Sequence, residues 1–426
     1  MPGSNALVNV IEGTANECIR RSVPVRVLLT DTDRRPYTAR IAMALAEVGC
    51  EVSVVATRNN PVQKTRVIHR SFRYSVLRPL SSLLGAIATV KPDLIVPCDD
   101  RAVEHLHQLH RLPCSVEGVT PRLSELIETS LGTPVNFPIL TSRHEFLRTA
   151  IECGLRVPPT RLINSFDDLC QQRSEWALPW VLKADGTWGG RGVRLAHTFE
   201  DATKYFDELS RPCSLKRAIK RFSINRDSFY LREWWARRSP TVIAQRFIEG
   251  RPANCAVFSW KGEVLASIAV EVVSAIGLTG PAIIVRVIDG AEMTQAAATI
   301  ARRLRLSGFF GLDFVLDARG ASHLLEINPR CTPPCHLSLC HGRDLVGALW
   351  AQLSGQRAST RRIQTKNQMI AYFPQARLTK SEFLESSFHD VPTGEPELER
   401  ELLQPWPDRT LTLRLFTRLA SEFVSE

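Results

Sequence analysis

Residues 310–330 read FGLDFVLDARGASHLLEINPR: two apolar runs, 310–316 and 323–328, joined by Asp317-Ala318-Arg319-Gly320. Apolar segments on either side of a glycine-bearing turn predict an antiparallel hairpin. With the hairpin centred on Arg319-Gly320, Asp313 stands opposite Glu326. Asn328, two residues further on, shares their face. Two carboxylates directly opposed across a ladder repel unless a cation sits between them. Oxygen ligands that leave positions for water and phosphate suit Mg²⁺. A surface hairpin with solvated acids is the plainer reading. It does not account for Phe310, Leu312, Phe314, Leu324, Leu325 and Ile327, which make both flanks apolar.

Upstream lie two weaker signals. Lys183 is followed by Ala184-Asp185-Gly186-Thr187-Trp188-Gly189-Gly190-Arg191-Gly192, with four glycines in seven positions. Such a loop can bring backbone N–H groups close to phosphate oxygens, and Lys183 adds a point charge. No Gly-Lys-Ser/Thr closes it, so it is not a P-loop, and taken alone it also fits a plain glycine-rich turn. The second signal is VIAQRFIEG at 242–250. It reads either as an edge strand or as a hinge on which a purine rests, with Gln245 at the ring's amino group and the backbone of Arg246, Phe247 and Ile248 along its edge.

The 426-residue chain is 44% hydrophobic and 23% charged, a globular balance that excludes a disordered or fibrous chain. No run of 18 apolar residues is present and the start lacks a secretory pattern, so the expected compartment is cytoplasmic, with no membrane partner. The cysteines, 11 in number, are odd and scattered, and read mainly as small buried residues. Cys331, Cys335, His336, Cys340 and His341 lack the two tight ligand pairs of a zinc site. The net charge of +10 is partly local: residues 203–240 hold ten basic and four acidic residues, with Phe222, Phe229, Tyr230, Trp234 and Trp235 interleaved. That stretch is either a solvated helical insertion or a surface for an acidic peptide or carrier; nucleic acid is the less favoured partner.

Strands are predicted at 25–30, 51–56 and 94–96, alternating with helices at 37–48 and 80–90, which makes a small parallel α/β sheet. Residues 111–140 read as a crossing between units. A helix capped by Ser142 and closed by Gly154 follows, then a second capped by Ser165, and strands near 162–163, 179–183 and 369–373. The fold class is therefore α/β followed by α+β.

Taken in order, the lysine and glycine-rich loop, QRFIEG, and GLDFVLD…HLLEINPR resemble the ATP-grasp superfamily from about residue 141 to 355. The tail, AYFPQ…HDVPTGEPEL, looks like the carboxylate–amine ligase and carbamoyl-phosphate synthase-like branch. The resemblance implies a pre-ATP-grasp domain at 25–120 after an extension at 1–24, and a linker and helical entry at 121–178. A small lobe with lid and basic insertion would span 179–250, a large lobe with the metal site 251–355, and a tail 356–426. It also implies roles. Lys183 and, by a weaker match, Arg143 would hold phosphates that Gly189, Gly190 and Gly192 cover. Gln245, Arg246, Phe247 and Ile248 would hold adenine. Asp313, Glu326 and Asn328 would bind Mg²⁺, as two ions, with Mn²⁺ as the substitute, and Arg330 would steady the transferred phosphoryl group. Arg286, on a predicted strand at 281–287, reads either as a clamp for the substrate carboxylate or as a structural arginine.

The activity so implied is ATP-dependent ligation of a small-molecule carboxylate to an amine through an acyl phosphate, with a homodimer as the candidate assembly. The alternatives are carbamoyl-phosphate synthase-like chemistry with ammonia, a protein or peptide modifier, and a non-catalytic binding module. Two departures stand out. Arg251-Pro252-Ala253-Asn254 follows the hinge glycine where relatives often carry an acid for the ribose. Cys331-Thr332-Pro333-Pro334-Cys335 replaces a glycine- or serine-rich segment and is expected to wall the phosphate end of the cleft.

Overall fold

The computed structural model describes residues 24–186, 192–212, 240–277, 280–356, 361–379 and 381–404. Three sheets organise them. The first is parallel, in the order β3-β2-β1-β4, from β1 (Arg26–Asp31), β2 (Glu51–Ala56), β3 (Ile68–Arg73) and β4 (Leu94–Pro97). Its strands β1, β2 and β4 are buried at all but the first residue of β1 and β2, and each carries an apolar run, as a sheet covered on both faces requires. Helix α1 (Pro36–Glu47) follows β1, α2 (Pro79–Val90) precedes β4, and α3 (Asp100–Arg111) leaves it. Strand β3, IHRSFR, is largely exposed and lacks apolar alternation, so nothing in its composition announced it.

The second sheet is antiparallel, β5-β8-β6-β7, from β5 (Thr160–Ile163), β6 (Trp180–Ala184), β7 (Val193–Ala196) and β8 (Val242–Arg246). Trp180, Leu182, Ala184, Val242 and Ala244 form a core on one face. Strand alternation therefore turns Val181, Lys183, Ile243 and Gln245 to the other face, into a cleft. The third sheet has seven strands, β13-β12-β9-β10-β11-β14-β15. These are β9 (Arg251–Trp260), β10 (Glu263–Ala275), β11 (Ala282–Ile288), β12 (Gly308–Leu316), β13 (Ser322–Asn328), β14 (Met369–Tyr372) and β15 (Phe388–Asp390). One apolar core runs from Val27, Leu29 and Ile41 of the first unit to Ala256, Phe258 and Leu345 of the last, so the two share an interior.

The boundaries differ from the sequence reading in three places. Residues 111–140 are not a loose crossing: α4 (Pro121–Leu131) packs under β4, where Ile95 N donates to Ser130 Oγ at 2.9 Å. The small sheet begins at Thr160, before residue 179. The tail beyond 355 supplies β14 and β15, so a cut there would divide a sheet. Asp390 of β15 accepts from His336 Nε2 at 2.8 Å and pairs with Arg40 of α1, all three buried, which fastens the tail to the first unit. Most of the basic stretch, 213–239, lies outside the described residues. Among the described residues, no helix is long and apolar enough to cross a membrane.

Candidate active site

The hairpin of β12 and β13 sets Asp313 opposite Glu326, and Gly311 opposite Asn328. The turn itself is centred one half-step away from the sequence reading. Asp317 N donates to Ala321 O and Gly320 N to Asp317 O, so the loop centres on Arg319. A regular ladder from that turn would match Asp313 with Leu325. A bulge at Leu325 intervenes: Phe314 pairs with Leu324, the register shifts by one, and Glu326 returns to its place beside Asp313.

Asp313 has a further neighbour that the sequence reading did not place. Asn254 of β9 is its ladder partner on the other side, and Asn254 Nδ2 donates to Asp313 Oδ1 at 2.6 Å. Asn328 Nδ2 donates to Asp313 Oδ2 at 2.8 Å. Burial, and then the charge of Glu326, push the Asp313 carboxyl up to about 6. Burial acts the same way on Glu326, but Arg143 and Lys183 outweigh it and hold that carboxyl below its ordinary value.

Arg143 and Lys183 come from the other side of the cleft. Helix α5 (Phe137–Thr141) leads into α6 (Arg143–Glu152), whose N-cap Ser142 accepts from Glu145 N. At the first residue of α6, Arg143 Nε donates to Glu326 Oε2 at 3.0 Å, and Nη1 to Ala184 O at 2.7 Å. Lys183 is buried, which draws its ammonium down to about 8, while Glu326 and Asp313 pull the other way. The arrangement is two opposed carboxylates flanked by two cations.

Arg330 closes the far end. Its Nε donates to Asp100 Oδ1 at 2.9 Å, Nη1 to Tyr37 Oη at 3.3 Å and Nη2 to Asn328 Oδ1 at 2.9 Å. The next residue, Cys331, donates its N–H to Pro97 O. The exit of β13 is thus bonded to the carboxyl end of β4. There Asp99 accepts from Thr32 N, Thr32 Oγ1 and Ala102 N, and Asp31 from Thr38 Oγ1 at 2.7 Å. Those two acids hold loops together.

Gln245 points into the cleft, where its Nε2 donates to Thr160 Oγ1 at 2.9 Å. Arg246 N donates to Pro159 O and Phe247 N to Pro179 O; Ile248 is half-buried. Gly192 accepts from Ala184 N, whereas Gly189 and Gly190 lie outside the described residues.

Two readings are corrected. Arg286 pairs in the ladder with Glu271, whose row passes through Ala253 and Phe314, the face opposite Asn254 and Asp313. Its Nη1 donates to Glu271 Oε1 at 2.7 Å, and Arg251 binds the other oxygen, so Arg286 belongs to an ion triad behind the sheet and does not reach the cleft. Cys331 and Cys335 do not wall the cleft either: they are buried in the core with Cys98 and Leu337, while Cys340 is exposed. Among the described residues, no three of His, Cys, Asp and Glu are grouped to hold a metal.

Mg²⁺ fits the remaining donors. They are hard oxygens, two of them carboxylates held together at a cost, and Asn254 Oδ1 is a buried oxygen without a partner among the described residues. Asp100, Tyr37 and Asn254 could not be found from sequence because nothing local marks a residue whose partner is more than fifty positions away. An asparagine within the buried Ala253–Ala256 run is the only trace.

The ATP-grasp domain model matches residues 151–334. No curated protein matches the chain in sequence. Among solved structures, the chain is similar to the biotin carboxylase domain of Hydrogenobacter thermophilus 2-oxoglutarate carboxylase, solved with MgADP, ADP and bicarbonate. The identity is 15% and the TM-score 0.55, over 78% of this chain and 70% of that one. N5-carboxyaminoimidazole ribonucleotide synthetase of Thermus thermophilus gives 14% identity and a TM-score of 0.54, over 78% and 79%. The Staphylococcus aureus N5-carboxyaminoimidazole synthetase complexed with ADP gives 14% and 0.52, over 79% of each chain. At such identities these likenesses establish the fold. The parallel sheet, the antiparallel sheet bearing Lys183 and the seven-stranded sheet bearing Asp313 and Glu326 match the fold of these structures, and residues 151–334 of this chain match an ATP-grasp domain.

Proposed function

We propose that the protein is an ADP-forming ligase that activates a carboxylate as its acyl phosphate and joins it to an amine. One observation carries this reading: Asp313 and Glu326, opposed on one sheet, face Lys183 of another sheet and Arg143 of helix α6, with Arg330 beside them. Two anions, a carboxylate and a triphosphate, must meet for phosphoryl transfer. A site able to bring them together needs fixed positive charge around a cation-compatible acid pair.

In this reading Lys183 and Arg143 hold the phosphates of ATP, and Gly189, Gly190 and Gly192 cover them. Gln245 and the Arg246–Ile248 backbone hold adenine. Asp313, Glu326 and Asn328 hold Mg²⁺, as one ion or two, with Mn²⁺ able to replace it. Mg²⁺ supplies charge neutralisation at the phosphate oxygens. The substrate carboxylate oxygen attacks the γ-phosphorus as the bond to ADP breaks, and Arg330 steadies the transferred group. The amine then attacks the acyl carbon, phosphate leaves, and the amine proton leaves with it. Exclusion of water protects the acyl phosphate from hydrolysis in the interval.

A hydroxylamine trap tests this reading. Protein, Mg²⁺, ATP and pools of amino and other carboxylic acids are scored for hydroxamate and ADP, with Asp313→Asn and Glu326→Gln as controls. Bicarbonate, bound by the Hydrogenobacter domain, is included as a separate arm read by ADP release. The expected result is pool-dependent hydroxamate that both variants lose. ATP binding with no hydroxamate from any pool overturns ligation, and absence of ATP binding overturns the nucleotide site.

A further inference from the structure

Asn254, Asp313 and Glu326 form one row across β9, β12 and β13, and ladder partners share a face. The Asn254 amide has a fixed sense. An ionised carboxylate only accepts, so the group 2.6 Å from Asp313 Oδ1 is the amide nitrogen. The carbonyl oxygen is thereby turned away from Asp313. It is buried and has no donor among the described residues. A buried carbonyl without a partner is costly, and such exceptions call for a ligand or water.

The amide is also hemmed in. Gly311, next along the same face, carries no Cβ; one built there would lie 3.3 Å from Asn254 Nδ2 and 2.6 Å from Thr332 Cγ2. Ala256, two residues on and on the same face, is apolar and buried, so its side chain offers the carbonyl no donor.

We propose that Asn254 Oδ1 is a further ligand of the divalent cation held by Asp313 and Glu326. The proposal rests on the cation reading above and deepens it. One end of the amide orients the Asp313 carboxylate while the other contributes a neutral oxygen. Two carboxylates already match the two charges of a divalent ion, so an uncharged donor completes the set without excess negative charge.

The test is Mn²⁺ uptake, followed by the loss of the free-ion EPR signal, in the presence of a non-hydrolysable ATP analogue. Asn254→Leu keeps the shape and removes both polar ends; Asn254→Asp keeps the oxygen and loses the donor to Asp313. Leucine is expected to weaken Mn²⁺ binding by about tenfold or more. Aspartate should hold it within about threefold of wild type or tighter, the margin that separates it from a ligand loss of that size. Metal-free nucleotide affinity should stay unchanged in both. Should the leucine variant lose its thermal transition, Asn254→Ala takes its place. Aspartate as poor as leucine would mean that the side chain only positions Asp313, and leucine equal to wild type would mean that it does neither; either result overturns the ligand. Wild-type protein that takes up no Mn²⁺ overturns the cation reading itself, and the ligand with it.

Discussion

Arg330 and Asp100, 230 positions apart, are bonded through Nε and Oδ1 at 2.9 Å, and both side chains are largely buried. The bond joins the residue after Pro329 to the first turn of α3, and so joins the seven-stranded sheet to the first unit. Asp100→Ala leaves a guanidinium short of its counter-charge. Removing one partner of a buried pair costs about 3–5 kcal/mol, and partial solvent access here brings the expectation to about 2–3 kcal/mol. Urea unfolding should show this loss. Steady-state kinetics should show a fall in kcat/KM that Arg330→Lys reproduces, since lysine lacks the fork that also reaches Tyr37 and Asn328.

Lys183 gives the site a pH limit. Burial draws its pKa to about 8, so the ammonium is lost as pH rises through that value. Nucleotide affinity measured without metal should be level below pH 7 and should fall by roughly tenfold by pH 9.5, about one pKa unit's worth of binding energy. Lys183→Arg, which stays charged, should bind with a flat profile over the same range. Titration calorimetry at several pH values decides the matter, and an equal fall in the arginine variant would assign it to another group.

Gly311 is held to glycine by what lies over it. A methyl there would sit 2.6 Å from Thr332 Cγ2, closer than side chains approach, and would press on Asn254 as well. Gly311→Ala should cost about 1–3 kcal/mol, the usual penalty of overpacking. Calorimetry and the EPR assay should report it together: a lower melting temperature and weaker Mn²⁺ binding.

Asp390 predicts acid lability. Burial raises its pKa, but His336 and Arg40 outweigh that and hold it at about 2. The folded value lies below the unfolded one, so the stabilisation is complete above about pH 4 and is lost as pH falls from there through 2. The difference is worth about 2 kcal/mol at neutral pH. Asp390→Asn should be less stable at pH 7 and should lack this acid limb in denaturant titrations.

Much of this fold could be read before any coordinates. Strands β1, β2 and β4 of the first sheet, the capped helix after Ser142 and the facing of Asp313 and Glu326 follow from apolar runs, caps and turn chemistry. The facing was nevertheless reached through a turn centre that is displaced, with a bulge at Leu325 restoring the register. No residue type announces a bulge, which is a matter of pairing. The same limit explains Arg286. Alternation tells which residues of β11 share a face, and only the neighbouring strands tell which face looks into the cleft. Asn254 and Asp100 depended on contacts 59 and 230 positions away, beyond any local pattern.

Asn328 stands between Asp313, which can only accept, and Arg330, which can only donate. A side chain spanning that gap has to present a hydrogen to one neighbour and a lone pair to the other, in that sense and not the reverse. Aspartate would set carboxylate against carboxylate, and leucine would leave both neighbours unanswered. The primary amide, alone among side chains of this length, has two unlike ends on one flat group. It acts as a polarised spacer, and a carbonyl lone pair not taken by Arg330 remains for the cleft.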